Sequence, residues 1–319
     1  MTKHEKIAII IFKQHSLNYE SAERAGGWTN AVWLNGDYAL RLSMKKDSDI
    51  IRREVKRAEV LPVSVGYPKS IATGVTDGYE WSLSLRVDGV PLSSVWGSLN
   101  WLSKESAIKQ ILGIADSVHA VPAAKVEDIT LKSAWYNSFD KDSSIADIKR
   151  YVAQKIFTPK QGRNLCDILE RFYKNIDTPP VLCHGDITAD NLLWYDGNIV
   201  SLLDFEHSVI APQQLDVHSL VNLALIPYDE VTEKHTPLFS EKNPEVKTYV
   251  NSMISLFKPY LSSQSDKDLF MGYNVLFRQR FLEFWLANPK GEIEKCDAYN
   301  MLKPLCDGNG GYLKPLLFN

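Results

Sequence analysis

Runs of residues that are typical of β-strands recur along the first 90 or so residues, so the hydrophobic pattern predicts that this part of the chain is rich in β-structure. The stretch TNAVWLNGDYALRLS contains two such runs on either side of Asn35-Gly36. An Asn-Gly pair between two strand-like runs is a strong hairpin signal. The run YEWSLSLRV predicts a further strand that ends at Asp88-Gly89. Between them, SDIIRREVKRAEVL predicts one helix, with Ser48 or Asp49 at its start and Pro62 after its end.

The apolar spacing then changes to that of helices. In SKESAIKQILGIADSVHAV, Ile108, Ile111, Leu112, Ala115 and Val118 recur at intervals of three and four. Similar patterns are found near 144–157, near 161–176 and from Glu245 onward. The sequence therefore predicts an α+β protein, with a small β-rich lobe at 1–88 and a larger, mainly helical lobe at 89–319. Trp285, like the other tryptophans, is expected in the hydrophobic core.

One stretch, VLCHGDITADNLLWYDGNIVSLLDFE, combines a short strand, a polar loop and a second hairpin. If Gly197-Asn198 forms the turn, Asn191 lies opposite Asp204. If Asp196-Gly197 forms it, Asn191 lies opposite Leu202, with Asp204 two positions further. Both registers bring the Asn191 amide and the Asp204 carboxylate within roughly 4.5–8 Å of each other. Mg²⁺ prefers such oxygen ligands and is usually bound by one or two carboxylates together with substrate phosphates, so we predict a magnesium site here.

Asp186 lies five residues before Asn191, on the loop that leads into this hairpin. A carboxylate there can face the same cleft and accept a proton from a hydroxyl group. The spacing D-x-x-x-x-N, followed by D-F-x, is typical of the catalytic and metal loops of kinases. We expect His184 to hold the loop by hydrogen bonds, and Cys183 to belong to the core.

Composition and charge exclude several other classes of protein. The chain has 319 residues, a net charge of −3 and a sequence pI near 6.2, so no strongly basic surface for nucleic acid is expected. Its four cysteines include no C-x-x-C pair, which is typical of free thiols in a reducing compartment. No apolar run approaches the ~20 residues that span a membrane. We therefore expect a cytoplasmic protein without a membrane anchor.

The motifs HGDITADN and LLDFE resemble those of the aminoglycoside phosphotransferase-like family, whose relatives include choline kinases and eukaryotic protein kinases. The resemblance covers roughly residues 20–225. It implies a protein-kinase-like fold of two lobes, Asp186 as the catalytic base, and Asn191 and Asp204 as the ligands of Mg²⁺. It also implies ATP or GTP as the phosphoryl donor.

The same resemblance suggests where the phosphates bind. The segment AGGWTN precedes the first hairpin, and Gly26 and Gly27 would let backbone N–H groups approach phosphate oxygens. Arg41 occupies the strand position at which kinases usually have lysine. With Asn35-Gly36 as the turn, Arg41 lies opposite Asn30. Glu54, on the predicted helix, would be its partner.

Further positions follow from the family pattern. The backbone from Leu85 to Val87 matches the connection between the lobes and would bind the adenine edge. Asp216, in APQQLDVHSLV, would support the catalytic loop by hydrogen bonds, although it could equally be an ordinary acid at the start of a helix. Asp190 and Glu206 are candidates for contact with the substrate, and Glu206 could also contact the metal.

We predict transfer of the γ-phosphoryl group of ATP or GTP to a hydroxyl of a small molecule. An antibiotic is the preferred acceptor, and the activity would then confer resistance. The alternatives are a metabolic kinase for choline, an amino alcohol or a sugar, and a nucleotide-binding pseudokinase that serves as an interaction module. Protein-kinase activity is disfavoured, because Glu206 replaces the glycine of D-F-G. An acidic run that could attract cationic drugs comprises Asp229, Glu230, Glu233, Glu241 and Glu245. The sequence does not determine the oligomeric state.

Overall fold

The computed structural model describes residues 1–26, 30–126, 139–226, 238, 243–289, 291–306, 310 and 313–318. An antiparallel sheet of five strands, in the order β1-β2-β3-β5-β4, forms the first part of the chain. Its strands are β1 (Glu23–Ala25), β2 (Asn30–Asn35), β3 (Tyr38–Ser43), β4 (Ser70–Thr76) and β5 (Tyr79–Leu85).

Two helices pack on this sheet. Helix α1 (Lys3–Gln14), which the sequence analysis did not predict, begins with a capping box formed by Thr2 and Glu5. Its residues Ile7, Ile11 and Phe12 are buried in one hydrophobic cluster with the inward side chains of the sheet. Helix α2 (Ile50–Ala58) is the predicted one and starts after Asp49.

The first hairpin forms where it was predicted, but its turn is shifted by one residue. Asn35 pairs with Tyr38, so the turn is Gly36-Asp37, and Arg41 lies opposite Val32 instead of Asn30. A shift of the pairing by two positions leaves every side chain on its original face. Leu40 and Leu42, on either side of Arg41, face the hydrophobic cluster that contains α1. The Arg41 side chain therefore lies on the opposite face of the sheet, toward Glu54 on α2.

The remainder of the described chain is mainly helical. A small sheet joins β6 (Val90–Pro91), β8 (Leu192–Tyr195) and β9 (Asn198–Leu202), and β7 (Val181–Cys183) pairs with β10 (Val209–Ala211). The helices are α3 (Leu92–Val95), α4 (Trp101–His119), α5 (Lys141–Ala153), α6 (Pro159–Asn175), α7 (Gln214–Leu225), α8 (Pro244–Phe257), α9 (Gln264–Ala287), α10 (Asp297–Leu305) and α11 (Lys314–Leu317). None of the helices in the described ranges is long and apolar enough to cross a membrane.

The second hairpin differs from both predicted registers. Asp196 and Gly197 both have positive φ, 45° and 82°, and form the turn between Tyr195 and Asn198. A β-bulge then shifts the pairing by one residue, so that the Leu203 N–H donates to the Asn191 carbonyl at 2.7 Å. Asn191 therefore lies opposite Leu203, one residue before Asp204.

The bulge lies against a segment that is distant in sequence. Gly66 has a φ of +68°, and a Cβ atom there would lie 2.0 Å from the Val200 carbonyl oxygen. Only glycine fits this close approach. The following residue is Tyr67, whose hydroxyl donates to Glu54 on α2.

A second, larger hydrophobic cluster fills the helical part. The two clusters and the sheet-then-helix order confirm the predicted α+β architecture of two lobes. Val65 and Tyr67 pack with the larger cluster although they precede the predicted seam. The boundary at residue 88 stays a prediction.

Candidate active site

The loop between β7 and β8 brings Asp186 and Asn191 into contact. The Asn191 side-chain amide donates to the Asp186 carboxylate at 3.0 Å and to the Asp186 carbonyl at 2.9 Å. Both side chains are half-buried. These two bonds fix the orientation of the Asn191 amide, which leaves its oxygen available on the opposite side.

Asp216, on the first turn of α7, holds the start of this loop. Its fully buried carboxylate accepts the backbone N–H groups of His184 at 2.9 Å and of Gly185 at 2.8 Å. Burial by itself would raise the pKa of Asp216, but the hydrogen bond and charge of His119 lower it below its ordinary value. The carboxylate therefore stays ionised and braces the backbone just before Asp186.

His184 continues the same support as a neutral side chain. Burial lowers its pKa, and its Nδ1 atom accepts the Asp186 N–H at 3.1 Å. The other ring nitrogen therefore carries the proton and donates to the Leu203 carbonyl at 2.8 Å. His184 thus connects the backbone of Asp186 to that of the residue before Asp204.

His119, at the end of α4, lies 2.9 Å from Asp216 through its Nε2 atom. His119, Cys183 and Asp216 have ligand atoms within 4.8 Å of one another, a spacing that could hold a metal ion. Both Asp216 oxygens already accept hydrogen bonds, and the Cys183 thiol lies 3.5 Å from the carbonyl of Ala211. The cluster is therefore a hydrogen-bonded support for the loop.

The Arg41 guanidinium is paired with Glu54, as the sequence analysis expected from the family pattern. Their closest atoms are 2.8 Å apart, and Glu54 is fully buried. The Tyr67 hydroxyl donates to the same Glu54 oxygen at 2.7 Å. Burial would raise the pKa of Glu54, but Arg41 and these hydrogen bonds lower it below its ordinary value, so the carboxylate is ionised.

Helix α2 also holds the turn that contains Asp204. Phe205 donates its N–H to Glu54 at 3.0 Å. The Arg57 guanidinium, one turn further along the same helix and fully buried, donates to the Phe205 carbonyl and to the Ser208 hydroxyl. Both polar backbone groups of Phe205 are thus bound by side chains of a single helix.

Asp204 itself lies in the left-handed region, with φ 62° and ψ 66°. This conformation costs free energy in a residue other than glycine, and it is tolerated best by Asp and Asn. One Asp204 carboxylate oxygen lies 3.4 Å from the Arg41 guanidinium. Arg41 therefore lies between the carboxylates of Glu54 and Asp204.

The charges around Asp204 fit a divalent cation. Burial and the nearby carboxylate of Glu54 raise the pKa of Asp204 to about 7, the charges of Glu206 and Asp186 add to this effect, and Arg41 opposes it. The negative charge of these carboxylates exceeds the positive charge of Arg41. Together with the Asn191 amide oxygen, they offer the hard oxygen ligands that Mg²⁺ prefers. That Asn191 and Asp204 bind magnesium stays a prediction.

The remaining predicted residues lie around this centre. Glu206 is buried, 3.3 Å from the His207 ring, whereas Asp190 is exposed and accepts the Ser93 hydroxyl. Gly26 directly follows β1, and a Cβ atom there would meet nothing within 4 Å. Gly27 lies outside the described residues.

The segment predicted to bind adenine follows β5. The Leu85 N–H donates to the Lys69 carbonyl at 3.1 Å, and the Arg86 N–H donates to the Asp37 carbonyl at 2.8 Å. These two donors are therefore already used within the fold. An adenine contact in this segment has to use other backbone groups, such as those of Val87.

A cleft of about 410 Å³ extends from Asp186 into the helical lobe. Thr188 and Asp190 line it beside Asp186, and the rest of its wall comes from α7, α9 and the start of α10. The cleft thus connects the candidate catalytic base with a space large enough for a small molecule.

Three residues of this network were not identified from the sequence. Arg57 follows Glu54 by three residues, and helical spacing alone places both on one face of α2. For Tyr67 and His119 the sequence carries no comparable signal, because each reaches the site through tertiary packing.

Solved structures of aminoglycoside phosphotransferases share this fold. The GDP complex of aminoglycoside 2'-phosphotransferase-IIIa is 15% identical, with a TM-score of 0.66 over 96% of this chain and 98% of that chain. A thermostable mutant of APH(4)-Ia, in complex with ADP and hygromycin B, is 14% identical, with a TM-score of 0.63 over 97% and 100%. The GDP and kanamycin complex of APH(2")-IIia is 16% identical, with a TM-score of 0.63 over 96% and 98%.

No curated relative matches the chain by sequence. The profile of the Phosphotransferase enzyme family (APH) matches residues 21–233, which include the sheet, the loop that carries Asp186 and the turn at Asp204. Because this match covers more than half of the chain and contains the residues that form the site, the chain belongs to the Phosphotransferase enzyme family.

Proposed function

We propose that this protein transfers the γ-phosphoryl group of ATP or GTP to a hydroxyl group of a small molecule. The observation that carries the proposal is the contact between Asp186 and Asn191 on a loop whose backbone is bound by the buried Asp216. Family membership supports the same class of reaction.

In this reaction the acceptor oxygen forms a bond to the γ-phosphorus while the bond from that phosphorus to the β,γ-bridging oxygen breaks. Asp186 orients the acceptor hydroxyl and accepts its proton. Arg41, held by Glu54, binds the phosphates and balances their charge. Asn191 and Asp204 would hold Mg²⁺, which when bound neutralises the phosphate oxygens.

The nucleotide would lie between the two lobes. Gly26 and Gly27 would approach its phosphates, and the backbone near Val87 would meet the adenine edge. Glu206, whose charge acts on Asp204, would assist at the metal, and Asp190 lines the acceptor cleft. The described cysteines are all free, and we place the enzyme in the cytoplasm, where free thiols and nucleoside triphosphates are both abundant.

An antibiotic is our preferred acceptor, in which case the enzyme confers resistance. The solved relatives with hygromycin B and kanamycin support a hydroxylated drug as the type of acceptor. A metabolic kinase for choline, an amino alcohol or a sugar is the second candidate, because the same site would serve any hydroxyl. A pseudokinase is disfavoured, because Asp186, Asn191 and Asp204 are all present, Asp186 lines the cleft, and Asn191 is hydrogen-bonded to Asp186.

The test is the exchange of Asp186 for asparagine, followed by acceptor-dependent release of nucleoside diphosphate. We expect turnover to fall by about 10²- to 10⁴-fold, the usual contribution of a general base. Nucleotide affinity should stay within about threefold of the wild type, because Asp186 acts on the acceptor side. Asp196→Asn in the exposed hairpin turn is the matched control. Wild-type turnover in the Asp186→Asn variant would contradict the proposal.

A further inference from the structure

The acceptor side of the cleft contains a row of aromatic side chains. Phe277, Phe281, Phe284 and Trp285 all come from α9 and all line the cleft. Their spacing places them on one side of the helix. We call this set the aromatic face.

Two rings of the aromatic face are open to solvent. Phe281 is 48% exposed and Phe284 is 71% exposed. Large apolar side chains that are exposed next to a concave site are typical of ligand contacts, because a ligand that covers them removes apolar surface from water. The other two residues of the aromatic face are less accessible: Trp285 is half-buried and Phe277 is buried.

Charges at this end of the cleft are few and of both signs. Among the lining residues that the structure describes, Asp190 and Asp297 supply carboxylates besides Asp186, and Arg278 supplies a guanidinium. Asp190 already accepts the Ser93 hydroxyl. His218 is neutral, because burial and the charge of Arg278 lower its pKa to about 3. Three carboxylates and one guanidinium thus line the described part of the cleft, so its charge does not exclude a cationic acceptor, and the exposed rings are the feature that selects the acceptor.

We infer that the acceptor presents its hydroxyl on an apolar or aromatic body, which lies against Phe281 and Phe284. This inference rests on the proposed phosphoryl transfer and specifies its substrate class. The alternative hypothesis is a polycationic acceptor that is bound by the acidic run. Four residues of that run lie outside the described residues: Asp229, Glu230, Glu233 and Glu241.

Three probe acceptors separate these possibilities. Phenyl glucoside is neutral and has an aromatic face, glucose is its matched partner without that face, and kanamycin is a polycation. We expect phenyl glucoside to exceed both in kcat/KM, with an advantage over glucose of at least about tenfold from burial of one ring. Isothermal titration of the same three compounds gives a second readout that does not depend on turnover.

Variants test the contact itself. Phe284→Ala should raise the KM for phenyl glucoside by about five- to tenfold, while the KM for glucose and for the nucleotide stays within about twofold. Leu102→Ala is the matched control, since Leu102 is 80% exposed on α4 and does not line the cleft. It should leave all three constants unchanged.

The outcomes distinguish failure of the inference from failure of the proposed function. Two results would overturn the inference alone. One is release of nucleoside diphosphate that needs Asp186 but is greatest with kanamycin. The other is kanamycin binding that exceeds phenyl glucoside binding and weakens steeply with salt. Equal effects of Phe284→Ala and Leu102→Ala also overturn it. Acceptor-stimulated release that persists in Asp186→Asn overturns the proposed function.

Discussion

Replacing Glu54 with glutamine removes one buried charge and almost no volume. In the wild type a single Glu54 oxygen accepts hydrogen bonds from Arg41 at 2.8 Å, Tyr67 at 2.7 Å and the Phe205 N–H at 3.0 Å. The glutamine oxygen can still accept these bonds, but as a neutral group. Each bond then loses about 1 kcal/mol, the difference between charge-assisted and neutral hydrogen bonds. The lower cost of burying an amide offsets part of this loss.

We therefore expect Glu54→Gln to lower the free energy of unfolding by about 2–3 kcal/mol, and the melting temperature by roughly 4–8 °C. The pKa of Glu54 is lowered in the folded protein. Its contribution is therefore fully present above the ordinary glutamate pKa, and it is lost as the pH falls through the folded-state value. Thermal unfolding at neutral pH thus measures the whole effect.

The same substitution should change the magnesium requirement. Without the Glu54 charge, Arg41 is expected to pair more strongly with Asp204, which lies 3.4 Å away. Asp204 would then be less available as a metal ligand. A titration of activity against Mg²⁺ should show a half-maximal concentration about five- to tenfold higher than in the wild type, equivalent to roughly 1–1.4 kcal/mol.

Glu80→Gln provides the matched control. Glu80 is a second buried glutamate of the same lobe, but burial raises its pKa. Its ionised form is therefore disfavoured, and the amide should leave stability unchanged or slightly increase it. If Glu54→Gln melted like the wild type, or shifted the Mg²⁺ titration no more than Glu80→Gln, the role assigned to the Glu54 charge would be refuted.

Two further predictions concern acid sensitivity and the Asp204 turn. The pKa of His218 is lowered to about 3, so the folded protein disfavours its charged form. The stabilising effect of His218 is therefore present above its unfolded-state pKa of about 6.5 and is lost as the pH falls. The free energy of unfolding should decrease by about 2 kcal/mol between pH 6.5 and pH 5. Urea denaturation at both pH values should show this slope, and an equally steep slope in His218→Gln would contradict it. Asp204→Asn should keep its melting temperature within about 2 °C, because asparagine tolerates the left-handed conformation, yet it should lose magnesium-dependent turnover. Full turnover in that variant, or in wild-type enzyme treated with a chelator of divalent metals, would exclude the predicted metal site.

The local signals in the sequence were sufficient for the two-lobed α+β architecture, apart from helix α1, and for placing Asp186 and Asn191 on one loop, whose role stays a prediction. The Asn35-Gly36 and Asp196-Gly197 pairs located both hairpins, because such turns depend on a few adjacent residues. The spacing from Asp186 to Asn191 predicted that they share one loop, and the structure brings their side chains within hydrogen-bond distance.

The exact pairing of the strands could not be read in this way. The bulge in β9 lies against Gly66, a contact between segments distant in sequence, and it moves Asn191 by one position relative to Asp204. Tyr67 and His119 were missed for the same reason, since nothing near them in the chain indicates that they reach Glu54 and Asp216. Trp285, expected in the core, is only half-buried and also lines the cleft.

The hydrogen bonds from α2 to the backbone of Phe205 limit how this protein can be divided into fragments. Glu54 binds the N–H of Phe205 and Arg57 binds its carbonyl, so the conformation of the turn at Asp204 depends on a helix encoded some 150 residues earlier. A fragment that begins after the first sheet would lack both contacts. Chimaeras with related enzymes should therefore exchange α2 and the Asp204 turn as one unit, whatever boundary is chosen for the rest of the chain.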